Sequence, residues 1–149
     1  DYMKICLKLS KIALEAGDPP VGALLVVHDK IIGEGVESGR STNDITNHAE
    51  MLAVKNAIEL GNQRFLPEAT MYTTHEPCLM CSYAIRHYKI PKIVYGTSVE
   101  HIGGHTSEFD ILSTQNVPKW TRPPQIIGGI CKEECDQLTA EFVRRISSH

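Results

Sequence analysis

The sequence predicts an α/β domain with helices on both faces of a mixed sheet. Three observations carry that expectation. "ATMYTT" at Ala69–Thr74 and "KIVYG" at Lys92–Gly96 read as strands flanking a helical stretch, all within thirty residues. Strand, helix, strand at that length is a βαβ unit, so the two strands should run parallel. Two apolar runs near residue 30 read as a hairpin, which adds antiparallel strands to the same sheet. Helical periodicity at both ends of the chain supplies the covering layers.

Ile5, Leu9, Ile12, Ala13 and Ala16 recur at helical spacing, and Gly17–Pro20 ends that first helix. Gly22–Val27 and Lys30–Gly35 form the hairpin around His28 and Asp29. A polar stretch from Glu37 to Asn47 follows, then a helical pattern from about Ala49 to Leu60. Met51, Val54, Lys55 and Ile58 fall on one stripe of it, with Thr46 or Asn47 as its cap. Pro77 suits the first turn of the next helix, where its missing N–H costs nothing, and that helix should run to Tyr88. From Thr97 to Pro124, Gly, Pro and Ser are scattered without a period. A loop that long in a compact domain is functional or built around a short helix. Gln125–Ile130 predicts a last strand, and Glu133–Ile146 a closing helix.

The 149 residues, 42% of them apolar, fit one domain over 1–149 with one core. No apolar run is long enough to cross a bilayer, and no charged leader with an apolar core opens the chain. The expectation is a cytoplasmic protein with no membrane partner. Fifteen basic residues against eighteen acidic give a net charge of −3. That argues against nucleic acid as the preferred partner, because phosphate binding leaves a basic footprint. Cys6, Cys78, Cys81, Cys131 and Cys135, without a secretory signal, point to metal ligation or burial rather than disulfides.

Cys78 and Cys81 stand three apart just after Pro77, on one face of a helix start. Unpaired N–H groups there favour thiolates, and two thiolates aimed together suggest Zn²⁺. Cys131 and Cys135 could complete a structural site, but their separation of roughly 50 residues is long for a zinc ribbon. His48, in "NHAEM", is the better third ligand, because three ligands leave one position open for water. Such a water loses a proton near neutral pH, and Glu50, two residues on, is placed to carry that proton. The set His48-Ala49-Glu50 and Pro77-Cys78-Leu79-Met80-Cys81 is the H-x-E … P-C-x-x-C signature of zinc deaminases of nucleobases.

On these residues the chain resembles the cytidine deaminase superfamily. "PPVGALLV", "NHAEMLAVKNA", "ATMYTTHEPCLMCSYAI", "KIVYG" and "GGICKEEC" fall in family order. Within it the sequence is most similar to bacterial tRNA adenosine deaminases, with guanine deaminase and fungal cytosine deaminase nearby. The resemblance implies a three-layer α/β/α sandwich on a five-stranded mixed sheet. It implies Zn²⁺ on His48, Cys78 and Cys81, with Glu50 as the catalytic proton carrier and ammonia as a product. It also implies that the backbone N–H groups of Ala49 and Cys78 lie close to the substrate, and that the protein is a homodimer.

The chain departs from its relatives at two places. Where they commonly carry an Asn that bonds the base, eleven residues before the zinc histidine, this chain has Glu37. An ionised carboxylate only accepts hydrogen bonds, so Glu37 in the pocket would prefer a ring edge rich in donors. The second departure is the loop from Glu100 to Pro124. There His105 and His101 are candidate pocket-lining groups and Trp120 a candidate base-stacking one. His75 could reach the substrate mouth, and Phe142, Arg144 and Arg145 weakly echo the RNA-holding helix of the tRNA enzymes. The expectation is therefore a hydrolytic deaminase of a small free aminated base, nucleoside or related heterocycle. The alternative is a tRNA-specific adenosine deaminase, and a non-catalytic zinc module is the third reading.

Overall fold

The structure, a computed structural model, describes residues 1–148. The elements run α1 (Tyr2–Glu15), β1 (Gly22–Val27), β2 (Lys30–Val36), α2 (Ala49–Glu59), a short 3-10 helix (Gln63–Glu68), β3 (Thr70–His75), α3 (Leu79–His87), β4 (Lys92–Thr97), β5 (Gln125–Ile127) and α4 (Lys132–Ser147). The strands form one sheet in the order β2-β1-β3-β4-β5. β1 is antiparallel to both β2 and β3, while β4 is parallel to β3 and β5 to β4. The βαβ unit and the hairpin are both as the sequence predicts. His28 and Asp29 take positive φ of 49° and 62°, the conformation a tight two-residue hairpin turn requires.

β1 shows why the domain has three layers. It is buried along its whole length, and alternate side chains feed opposite cores. Ala23, Leu25 and Val27 join Ala53 and Val54 of α2 and Ile85 of α3, with Met71 and Ile93 from the neighbouring strands. Leu24 and Val26 join Met3, Cys6 and Leu9 of α1 on the other face, with Val94. α4 packs beside α1 on that second face. Each fully buried Leu, Ile or Met contributes roughly 1.5–3 kcal/mol, so both layers are needed to hold the strand between them.

Four local expectations are corrected. α2 does not bury the stripe of Met51, Lys55 and Ile58; Lys55 is exposed and the other two are half-buried. Its inward face is Ala49, Ala53, Val54 and Ala57. A Cβ on Gly33 would lie 2.5 Å from the Ala53 carbonyl oxygen, and one on Gly35 would lie 2.0 Å from that of Ala49. The helix lies against strand backbone, and only small residues fit the seam. Second, the N-cap of α2 is His48, not Thr46 or Asn47, and His48 makes no side-chain capping bond. Third, Pro77 precedes α3 rather than entering it, and Cys78 is that helix's N-cap. Fourth, β5 stops at Ile127, because Gly128 runs against the Tyr95 ring and Gly129 turns the chain at φ +85°.

The stretch between β4 and β5 contains no helix or strand. It is held by buried charge instead. Arg86, in the last turn of α3, is buried and donates to the carbonyls of Ile111, Leu112, Thr114 and Thr121 at 2.8–3.2 Å. Its guanidinium also lies 4.6 Å from the centre of the Trp120 ring, so Trp120 has a cation as its partner. A loop without a ladder leaves carbonyls unpaired, and the five-donor fork of an arginine can satisfy several at once.

Candidate active site

The site forms where two helices begin. His48 caps α2 in extended conformation, and Cys78 caps α3 in the same way. Each residue therefore stands just outside its helix. Cys81 follows one turn into α3 and is fully buried. The ligand atoms of His48, Cys78 and Cys81 all lie within 4.8 Å of one another. His48 Nδ1 is 3.4 Å from Cys78 Sγ and 3.6 Å from Cys81 Sγ. A tetrahedral zinc with its usual bond lengths separates nitrogen and sulfur ligands by about 3.5 Å. The donors present thus fit that ion in type and spacing. Among the described residues no further Cys, His or carboxylate joins the cluster, so one position is left for a small ligand. Cys131 and Cys135 stay out of it: Cys131 caps α4, and Cys135 is buried against Gly96.

The three groups are electrostatically coupled to one another, and metal binding would require His48 and Cys81 to give up their protons. Hydrogen bonding with Cys81 holds the Cys78 thiol down to about 4, despite its burial, and His48 helps. Cys81 is pushed up by the same bond and by burial. The bond to Cys78 lifts His48 to about 9 against the effect of its burial. Glu50, in the first turn of α2, is 5% exposed. Thr73 Oγ1, from β3, donates to its Oε2 at 3.1 Å, while Oε1 lies 3.9 Å from Cys81 Sγ. Burial pushes the Glu50 carboxyl up to about 7.

A cleft of about 200 Å³ opens over these groups. Pro19, Val21, Val99 and Ile102 give it apolar walls, and Glu37, His75 and Glu76 line it beside His48, Glu50 and Cys78. Glu37 is buried rather than turned to water, but its oxygens are engaged. Oε1 accepts from Ala49 N and Oε2 from Gly39 N, both at 3.2 Å. Burial raises its pKa, opposed by His48 and by those two N–H groups. Glu37 thus supplies the cap that α2 lacks from its own N-cap residue. His75 reaches the cleft, with both ring nitrogens held: Nδ1 is 3.1 Å from Thr74 Oγ1, and Nε2 is 3.0 Å from Thr139 Oγ1 of α4. Burial pushes its pKa down to about 4. His105 is not among the cleft residues; its Nδ1 pairs with the Tyr95 hydroxyl at 3.1 Å. That placement corrects the expectation of a pocket-lining His105.

Sequence reasoning missed Glu76. It is 2% exposed and receives hydrogen bonds from the backbone N–H groups of Val99, His105 and Thr106 and from the Thr106 hydroxyl. Burial raises its pKa, but the bonds from Thr106, Val99 and His105 outweigh that and hold it below the usual carboxylate value. The only signal available was an acidic residue abutting the Pro-Cys motif.

Residues 1–97 match the family described as the cytidine and deoxycytidylate deaminase zinc-binding region. The chain belongs to this family. This deaminase is accordingly a zinc-dependent hydrolase. It is 34% identical over 151 residues to the tRNA-specific adenosine deaminase of Aquifex aeolicus (strain VF5), covering 99% of this chain and 95% of that protein. It is 32% identical over 145 residues to the tRNA-specific adenosine deaminase of Streptococcus pyogenes serotype M18 (strain MGAS8232), covering 97% and 89%. A solved structure from biochemical and structural studies of A-to-I editing by tRNA:A34 deaminases, at the wobble position of transfer RNA, superposes with a TM-score of 0.82. It is 31% identical and covers 91% of this chain and 96% of that one. The guanine deaminase structure from Bacillus subtilis matches at a TM-score of 0.60 and 32% identity, over 64% and 62%.

These likenesses overturn the preference for a free base or nucleoside. The relatives just described that match along nearly the whole chain at 31–34% identity are tRNA enzymes, while the guanine deaminase matches over less than two thirds. Two inferences misled. Net charge averages over the whole surface and says nothing of one face. The donor-seeking role given to Glu37 assumed free oxygens, whereas both already accept from backbone N–H groups.

Proposed function

We propose that this deaminase hydrolyses an adenosine of tRNA to inosine, releasing ammonia. The observation that carries the reading is the near full-length likeness to tRNA-specific adenosine deaminases in a chain whose ligand cluster and carboxyl stand together. His48 Nδ1, Cys78 Sγ and Cys81 Sγ would hold the zinc. When bound, zinc supplies the polarisation that turns water into a nucleophile near neutral pH.

The rest is work for the chain's own groups. Glu50 is the proton carrier, because it is a carboxyl beside the ligand cluster whose burial raises its affinity for a proton, so that it can both take and return one. The Thr73 hydroxyl fixes Oε2 and leaves Oε1 for the transfer from attacking water to the base and its departing amine. Val21, Val99 and Ile102 flank a flat ring and exclude water from it. Glu37 acts with Ala49, holding the helix start against which the base sits. His75, neutral through its burial, presents its ring rather than a charge. The protein acts in the cytoplasm as a homodimer in this reading; sedimentation of a fully active monomer would remove the second part.

The deciding assay incubates zinc-loaded protein with an anticodon stem-loop carrying adenosine at the wobble position, and in parallel with free adenosine, adenine, guanine and cytosine. Nuclease digestion and chromatography should give inosine from the RNA and no turnover of the free compounds. Turnover of a free base with none of the RNA overturns the proposal.

A further inference from the structure

We propose that Glu76 is a positioning residue that builds the substrate-facing wall of the cleft by holding the loop from Val99 to Thr106. Glu76 lines the cleft but has nothing left to offer a ligand. Oε1 accepts from Val99 N at 2.8 Å and from Thr106 Oγ1 at 2.5 Å. Oε2 accepts from His105 N at 2.8 Å and from Thr106 N at 2.7 Å. An ionised carboxylate has about four acceptor sites and no donor, so all of them are filled by this loop.

The loop is fitted to the carboxylate as closely as the bonds suggest. A Cβ on Gly103 would lie 2.1 Å from Glu76 Oε2, so no other residue fits there without moving the acid. Gly103 also pairs in a β-bridge with Cys78, and Gly104 N donates to the Pro77 carbonyl at 2.8 Å. The loop is thereby joined to the three residues Glu76, Pro77 and Cys78 that lead into the ligand cluster. Its products on the cleft side are Val99 and Ile102, half of the apolar wall. A wall that touches the ring equally before and during reaction affects binding more than turnover. The consequence for substrate rests on the function proposed above; the anchoring of the loop does not.

A glutamine at this position can still accept on one atom but presents an N–H₂ on the other. Thr106 Oγ1 can reverse and accept from it, whereas Val99 N–H cannot and is left unpaired. The test compares Glu76→Gln and Thr106→Val with wild-type holoenzyme. Zinc content, amide hydrogen exchange at residues 99–106, and KM and kcat are measured on whichever aminated substrate the wild type turns over.

Glu76→Gln should keep one equivalent of zinc and exchange its Val99 amide about tenfold faster or more, with the His105 and Thr106 amides accelerated by less. KM should rise about tenfold or more, with kcat within about threefold. Thr106→Val, which removes one of the bonds to Glu76, should move exchange and KM the same way by less, and it decides the matter if Glu76→Gln does not fold. Unchanged exchange, or faster exchange with unchanged KM, overturns the proposal. Wild-type turnover of a free base with none of the RNA would sink the tRNA reading alone, since exchange and the KM of that base still report on the wall.

Discussion

Glu50 combines burial with a single fixed oxygen, and that combination defines its chemistry. Replacing it with Gln keeps the shape and the bond from Thr73 but removes the carboxyl proposed as the proton carrier. Inosine formation should fall by about 10²–10⁴-fold, the usual contribution of general acid–base catalysis, with zinc content unchanged. Activity that survives Glu50→Gln removes the residue from the mechanism. His75 gives a second prediction at this scale. Its folded pKa is held down to about 4 by burial, below the ordinary value of 6.5. The unfolded chain therefore binds a proton between those two values and the folded chain does not. Stability contributed by neutral His75 is intact above about pH 6.5, falls as pH drops, and levels off near pH 4, a loss on the order of 3 kcal/mol. Urea unfolding at pH 7.5 and 5 should show a smaller pH difference in His75→Gln than in wild type. Of these residues, His48, Glu50, Cys78 and Cys81 were readable in the sequence, because their chemistry depends on type and spacing within a single turn. Glu37 was readable only as an anomaly, since its two partners, Ala49 and Gly39, arrive through the fold of the connecting loop.

At the scale of elements, the seam between α2 and β2 decides whether the metal ligands meet. α2 carries His48 and Glu50 at its start, and Gly35 lies directly beneath that start. Gly35→Ala would drive a methyl against the Ala49 carbonyl and push the helix away. We expect about 1–3 kcal/mol of destabilisation in urea, the range typical of overpacking, together with weaker zinc retention on dialysis. Full zinc retention with unchanged unfolding would show that the seam is slack. The sequence pattern misjudged this helix, because periodicity scores large apolar residues, whereas a close-packed seam selects small ones. The same limit hid the organisation between β4 and β5. No period exists there to be read, since its order comes from two buried charges, Glu76 just before α3 and Arg86 in its last turn.

For the whole molecule, a zinc ion held by His48, Cys78 and Cys81 would link the starts of α2 and α3, thirty residues apart in sequence. Removing the metal with a chelator should lower the melting temperature, on the order of 5–10 °C, and added zinc should restore it. An unchanged melting temperature after verified zinc loss would mean that the scaffold holds the site alone. The layered α/β architecture, the parallel pair and the ligand set were legible in the sequence itself, because short apolar runs, helix spacing and the ligand motifs are local and complete within a few residues. Tertiary structure alone decided the alanine face of α2, the engagement of Glu37 and His75, the withdrawal of His105 from the cleft, and the part played by Glu76. Each of these depends on which backbone donors and acceptors from distant segments arrive beside a buried group, and no local pattern records that.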